Sequence, residues 1–308
     1  MIKHTIEISQ NPAYLSVKLD QLLISRKDGD EDSTTSIACE DIGVLILDHP
    51  QVTCSQAALA KLVEAGAAVV LCGRNHLPAG LLLPLSEHSE IVPRFQDQIG
   101  ASLPLKKRLW QQIVVAKVRG QANNLHHDPA AREKLLILSE QVHSGDPTNV
   151  EAQAAKIYWS AWLGGSTKFR RDYDGEGINA LLNYGYAVIR AAVARALVAA
   201  GLSPSLGIFH RNRSNAFCLA DDLVAPLRPL GDLRVRELAG QDRLELDRSV
   251  KAEILQLLAF PVRTGDFTGP LMVALHRYAA SLVRCFSGED KRLSIPCPAA
   301  DQEGTPEA

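Results

Sequence analysis

The 308-residue sequence lacks most of the signatures that usually announce a function. It contains no GxxxxGK(S/T) loop, no GxGxxG after a strand-like run, no HExxH and no GxSxG. Nothing in it supports a P-loop ATPase, a dinucleotide-dependent dehydrogenase, a zinc protease or a serine hydrolase. Cys39, Cys54, Cys72, Cys218, Cys285 and Cys297 form no CxxC pair and no metal-ligand spacing. In a chain of this length they read as free thiols in a reducing cytoplasm. The opening MIKHTIEISQ carries no apolar run that would serve as a signal peptide. No window of about 18 apolar residues is expected to span a membrane, and no repeat of fixed period is visible.

What is present is unevenly distributed. The formal net charge of −2 conceals three regions: residues 1–99 hold 7 Lys+Arg against 13 Asp+Glu, residues 100–286 hold 24 against 17, and residues 287–308 hold 2 against 5. A basic central region in a nearly neutral chain is the footprint of a polyanionic partner, set against ordinary fluctuation of surface charge. Hydropathy divides the chain similarly. KHTIEIS, AYLSVKL and QLLISR alternate as strands, RKDGDEDS reads as a polar turn, and IGVLILD, AAVVLC and GLLLPL read as buried strands. CSQAALAKLVEAG reads as a helix capped by Ser55 and ended at Gly66. From about Pro104 the period becomes helical. The expected fold is therefore α+β: a small N-terminal β-rich domain (1–95), a linker (96–103), a larger all-α domain (104–286) and an acidic, Pro-rich tail (287–308), solvated and without a predicted element.

Three polar positions stand out in the helical region. Glu151 falls in a first helical turn after a Thr148 or Asn149 cap, where a carboxylate also complements the helix dipole. His210 ends the apolar run LGIF, where a carbonyl-capping or core histidine is the plain alternative. Asp221 and Asp222 open DDLVAPLRP, where a helix cap is the plain alternative. Together, two carboxylates and an imidazole from three elements form an oxygen-rich set suited to Mg²⁺ or Mn²⁺ rather than Zn²⁺, and so to phosphodiester chemistry.

The runs EAQAAKIYWSAW and INALLNYGYAVI, with GLSPSLGIFH and ADDLVAPLRP in the same order, resemble the CRISPR-associated spacer integrase family, the universal adaptation endonuclease. LWQQIVVAKVRGQANNL matches a family helix, and the stretch from Val44 to Leu85 resembles the N-terminal domain of its type II branch. The resemblance implies a metal-dependent endonuclease and integrase that captures double-stranded DNA fragments and inserts them beside CRISPR repeat DNA. In that reaction a 3′-hydroxyl attacks a phosphodiester, with no need of ATP. It also implies a homodimer, a small ferredoxin-like partner subunit completing a heterohexamer, type II effectors as further partners, and a prokaryotic cytoplasmic location. Carried over residue by residue, the family's metal ligands fall on Glu151 and His210, but the Glu of its D-L-x-E-P-F-R-P motif falls on Ala225. Asn and Phe of the family are likewise Cys218 and Leu227. The catalytic and metal set is thus Glu151, His210 and Asp222, with Asp221 as the other stand-in for the missing acid. The alternative is a DNA-capturing architectural subunit with impaired catalysis. Lys106, Lys107, Arg108, Lys117, Arg119, Arg170, Arg171, Arg211 and Arg213 are the candidate phosphate contacts, each set against a solvated helix face. Arg228 is expected to pair with an acid near the site.

Overall fold

The structure, a computed structural model, describes residues 3–9, 11–28, 31–74, 76, 78–85, 90–164, 169–172 and 175–299. The N-terminal part contains β1 (His4–Ile8), β2 (Ala13–Lys18), β3 (Gln21–Asp28), β4 (Glu31–Ala38), β5 (Ile42–Leu47), β6 (Thr53–Cys54), α1 (Gln56–Glu64), β7 (Ala68–Cys72) and β8 (Pro78–Leu82). They form two sheets, ordered β1-β5-β7-β8 and β4-β3-β2-β6. In the first sheet β1, β5 and β7 run parallel and β8 antiparallel. The start of α1 is as expected: the Ser55 hydroxyl accepts the Ala58 N–H, and Gly66 sits at φ +77° just beyond the helix. β4 occupies part of the stretch read as a polar turn, because a long hairpin continues the β3 ladder out to Asp28.

β5 is buried at every position, and its alternation explains why. Leu45 and Leu47 pack with Leu15, Leu22, Leu62 and Val69 in the N-terminal core, whereas Val44 and Ile46 join the core of the helical part. An apolar run with no polar face is what a strand needs when both faces are covered.

The remainder comprises α2 (Ile91–Gly100), α3 (Leu103–Asn123), α4 (Pro129–Glu140), α5 (Val150–Ala161), α6 (Ile178–Ala199), α7 (Cys218–Val224), α8 (Arg228–Gly240), α9 (Arg248–Leu255), β9 (Pro261–Thr264), β10 (Phe267–Pro270), α10 (Leu271–Ser287) and β11 (Cys297–Pro298). Three expectations are corrected. The stretch 96–103 is not a free linker: α2 fills most of it and packs on α10, and the Gln98 amide is buried against the backbone of Ser203 and Leu206. The C-terminal part is mainly rather than wholly helical, since β9, β10 and β11 make a small antiparallel sheet. Residues 287–299 of the expected tail return to the fold through β11 on β9, and the rest of that tail lies outside the described residues. α6 does have the length and apolarity to cross a membrane, but 78% of its apolar window is buried inside the fold, where it is the central helix.

Polar contacts seal the seam between the two parts. Lys251 of α9 is 3% exposed and bonds Asp48, which follows β5 and also holds His76 Nδ1 at 3.0 Å. The Tyr184 hydroxyl of α6 donates to Glu7 of β1 at 3.2 Å, and Arg195 Nε donates to the Gly66 carbonyl at 2.6 Å. Burial pushes the Glu7 carboxyl up, with Lys251 pulling it back. Removing one member of a buried pair strands the other charge. Lys251→Met is therefore expected to cost about 3–5 kcal/mol in urea unfolding, with part of the loss recovered by adding Asp48→Asn. A loss under about 1 kcal/mol would show that the pair does not hold the seam.

Candidate active site

Glu151 lies in the first turn of α5. That turn is capped twice: Asp146 accepts the N–H groups of Val150 (2.8 Å) and Glu151 (3.0 Å), and Asn149, at φ +53°, accepts that of Ala152. Asn149 was expected as a cap; Asp146 was not. With its backbone satisfied, Glu151 turns its carboxylate to Lys117 on α3, at 2.5 Å.

His210 ends a loop wound around one carboxylate. Asp222, fully buried on α7, accepts the N–H groups of Ile208 (2.6 Å), Phe209 (3.0 Å) and His210 (3.2 Å), and His210 Nδ1 at 2.5 Å. Gly207 permits the approach, since a Cβ there would meet the His210 carbonyl oxygen at 2.3 Å and Asp222 Oδ2 at 3.0 Å. With Nδ1 engaged, Nε2 is the ring nitrogen left for chemistry. The Asp222 hydrogen bond raises the His210 pKa, burial opposes it, and the Asp222, Glu151 and Asp221 charges add to the rise. The expectation that Asp222 is the third metal ligand is corrected: both its oxygens are taken by backbone donors and the imidazole, so it positions His210 instead. Asp221 and Asp222 also lie inside α7, which begins at Cys218, rather than capping it.

Glu151 and His210 face one cavity of about 310 Å³, which Ala225, Asp221, Asp232, Lys117, Arg171 and Arg228 also line. An adjoining trough of about 570 Å³ shares Arg171, Arg228, His210 and Asp221 and adds Arg190 and three asparagines. Asp232 receives the Tyr158 hydroxyl at 3.0 Å and that of Tyr186, yet burial still pushes its carboxyl up to about 6. Arg171 and Arg228 lie over the Tyr186 ring, 5.5 and 5.2 Å from its centroid.

The expected phosphate contacts divide. Arg171 lines both compartments. Lys117 is buried against Glu151 rather than offered to solvent, and Arg119 reaches toward Ser139. Lys107, Arg108, Arg170, Arg211 and Arg213 are exposed outside the cavity, and Lys106 is half-buried beside Arg211. Arg190, Gln121, Tyr186 and Asp232 escaped sequence reasoning. One signal was available: Lys117/Gln121 and Arg228/Asp232 are i, i+4 pairs that place two polar groups on one face of their helices.

Among the described residues, no three His, Cys, Asp or Glu side chains converge to hold a metal ion. The donors suit a cation that keeps much of its water: Glu151 and His210 from the protein, and Gln121 Oε1, a buried acceptor that no protein donor reaches, in the same cavity wall. A third acid is absent at Ala225, and Asp221 is the acid nearest in sequence that lines the cavity.

The family model described as CRISPR associated protein Cas1 matches residues 6–256. A CRISPR-associated endonuclease Cas1 of Neisseria meningitidis serogroup C is 41% identical over 293 residues, covering 93% of this chain and 94% of that one. Among solved structures, a casposase bound to its integration product superposes with a TM-score of 0.81 at 18% identity, over 99% of this chain and 96% of that one. A CAS1 protein from Thermotoga maritima gives 0.72 at 15%, over 92% and 97%. The low-identity superpositions share the arrangement of N-terminal sheets and helical C-terminal part.

The Asp222 contacts generate a pH prediction. A histidine whose folded pKa is raised contributes stability fully present below the unfolded value, about 6.5, and lost as pH rises through the folded one. In metal-free NMR titration His210 is expected to titrate above ordinary histidine. Asp222→Asn is expected to lower that midpoint and to cost about 1–3 kcal/mol, because an amide NH₂ then faces backbone donors. An unmoved His210 midpoint would overturn the positioning role.

Proposed function

The chain belongs to the CRISPR-associated Cas1 family, and on that footing we propose that it is a DNA endonuclease and integrase of CRISPR adaptation, in the type II branch. It captures short double-stranded DNA fragments and joins their 3′-hydroxyl ends to a phosphodiester at a CRISPR repeat. The cavity carries the reading: Glu151 and His210 from distant segments face one space walled by Arg171 and Arg228. The reaction exchanges one phosphodiester for another, so it needs no nucleotide hydrolysis, in keeping with the missing P-loop.

The residues take distinct parts. Arg171 and Arg228 neutralise the phosphate and fix its approach, with Arg190 extending the charge along the trough. Asp222 holds the His210 ring so that Nε2 faces the cavity, and Lys117 holds the Glu151 carboxylate. Glu151 and His210, with Asp221 as the nearest further acid, would hold Mg²⁺ or Mn²⁺. Such a cation polarises the phosphodiester and offsets charge on the leaving oxygen. The working unit is a homodimer, joined through a small ferredoxin-like partner subunit into a heterohexamer, with type II effectors as further partners, in the prokaryotic cytoplasm. The six free thiols suit that compartment.

Ala225 favours a second reading, DNA capture with reduced strand transfer, because a methyl group lines the cavity where the family's pattern has a carboxylate. Integration of a fragment into a repeat-containing plasmid, with Mn²⁺ and the partner subunit, separates the two. Ala225→Glu is expected to raise the rate by about 10-fold or more, since even groups behind metal ligands contribute 10–100-fold. Equal and measurable integration rates before and after the change would remove the idea of an impaired site. DNA binding without integration by either protein would support the capture reading alone.

A further inference from the structure

Beside His210 lies an exposed aromatic ring, Phe209, that does not line the cavity. Phe209 is 48% exposed, although its ring is stacked on Trp110 with centroids 4.2 Å apart and planes within 3°. Trp110 is 1% exposed, so it backs one face of the phenyl ring and leaves the exposure to the other. The backbone is fixed too, since the Phe209 N–H donates to Asp222 at 3.0 Å. Singly exposed apolar side chains are ordinary on protein surfaces. Most large exposed ones here are aliphatic, such as Leu19 and Leu85. Phe209 differs in being a flat ring clamped in one orientation and set edge-on to the His210 ring, 5.6 Å between centroids.

Two cations lie close to this surface along the chain. Lys106 lies one helical turn before Trp110 on α3, and Arg211 follows His210, close enough that its charge acts on Lys106. A rigid ring face with two cations on the neighbouring segments fits a planar aromatic group that carries an anion, the chemistry of a nucleotide. A base inside a duplex has both faces covered by its neighbours. Only an unpaired or terminal base has a face to offer.

We infer that Phe209, backed by Trp110, is a stacking platform for an unpaired nucleobase at the reacting end of the DNA, next to the phosphate that enters the Glu151–His210 cavity. The inference rests on the DNA-processing reading above and adds a positioning residue to it. Stacking registers the end nucleotide against His210, and it tolerates any base because every base has a π-face.

The test uses the full chain and a fragment with single-stranded 3′ ends, carrying an abasic site at each of the last nucleotides in turn. At fixed salt, Phe209→Ala is expected to weaken binding of the intact fragment roughly 10- to 100-fold, the usual worth of one base–aromatic stack. It should leave unchanged the fragment that is abasic at the stacking nucleotide. Phe209→Tyr should restore discrimination. Phe209→Leu, which keeps Trp110 covered, should behave like Phe209→Ala, so that loss of packing is told apart from loss of stacking. A 2-aminopurine at the same position should be quenched by the unaltered chain and not by Phe209→Leu. Equal weakening of intact and abasic fragments, no weakening of either, or weakened binding of the partner subunit alone would overturn the platform while leaving DNA processing intact. If the unaltered chain binds no DNA at all, the DNA reading fails and the platform with it.

Discussion

The site depends on one buried carboxylate. Asp222 gathers three consecutive backbone N–H groups and an imidazole, and thereby converts the stretch from Gly207 to His210 from a loop into a fixed bracket. An ionised carboxylate with several donors is among the stronger polar arrangements available inside a protein, and a fully satisfied one specifies a single geometry. Neighbouring features inherit that fixity: the orientation of His210, the presentation of Phe209, and the path by which the chain leaves toward Arg211.

A bracket of this kind is useful only if its frame is rigid. Glu151 comes from α5, His210 from the loop before α7, and Lys117 from α3. These elements are held around α6, whose apolar surface is buried on most sides. Tyr158 of α5, Tyr186 of α6 and Asp232 of α8 meet in one hydrogen-bonded cluster beneath the cavity. Asn124 ties the same cluster to α3 through the Tyr158 hydroxyl and the Pro229 carbonyl. The floor of the cavity is thus a polar network that joins four helices, while its walls carry the cations.

Much of this was legible in the sequence, and the failures have physical reasons. Strong periodicity and caps located β5, α1 and the long helices, since those signals are local. α2 was missed because IVPRFQDQIG has a proline in its first turn and few core residues, and its stability comes from docking on α10. Glu151 and His210 stood out as polar positions among apolar runs, motif resemblance gave them a role, and their meeting in space needed the fold. Asp222 was assigned to metal because the family's acid falls on Ala225 and a carboxylate three residues before it is the natural stand-in. Whether its lone pairs are already spent on N–H groups is settled by a loop fourteen residues earlier, which no local pattern reveals. Lys117 was taken for a surface cation for the same reason: helix period shows which face a residue occupies, not which charge waits opposite.

β5 has a consequence of another order. From Val44 to Leu47 its residues serve the two cores in turn, so no plane divides the molecule into two independently stable halves. Loss of the N-terminal sheets would uncover the helix surface that Val44 and Ile46 cover, and loss of the helices would bare Val44 and Ile46 themselves. The two parts look like domains when drawn along the chain, but they share one cooperative unit of structure. The sequence history of this strand is therefore bound to two partners at once, since an exchange that improves the packing of one face leaves the residues on the other face where they were.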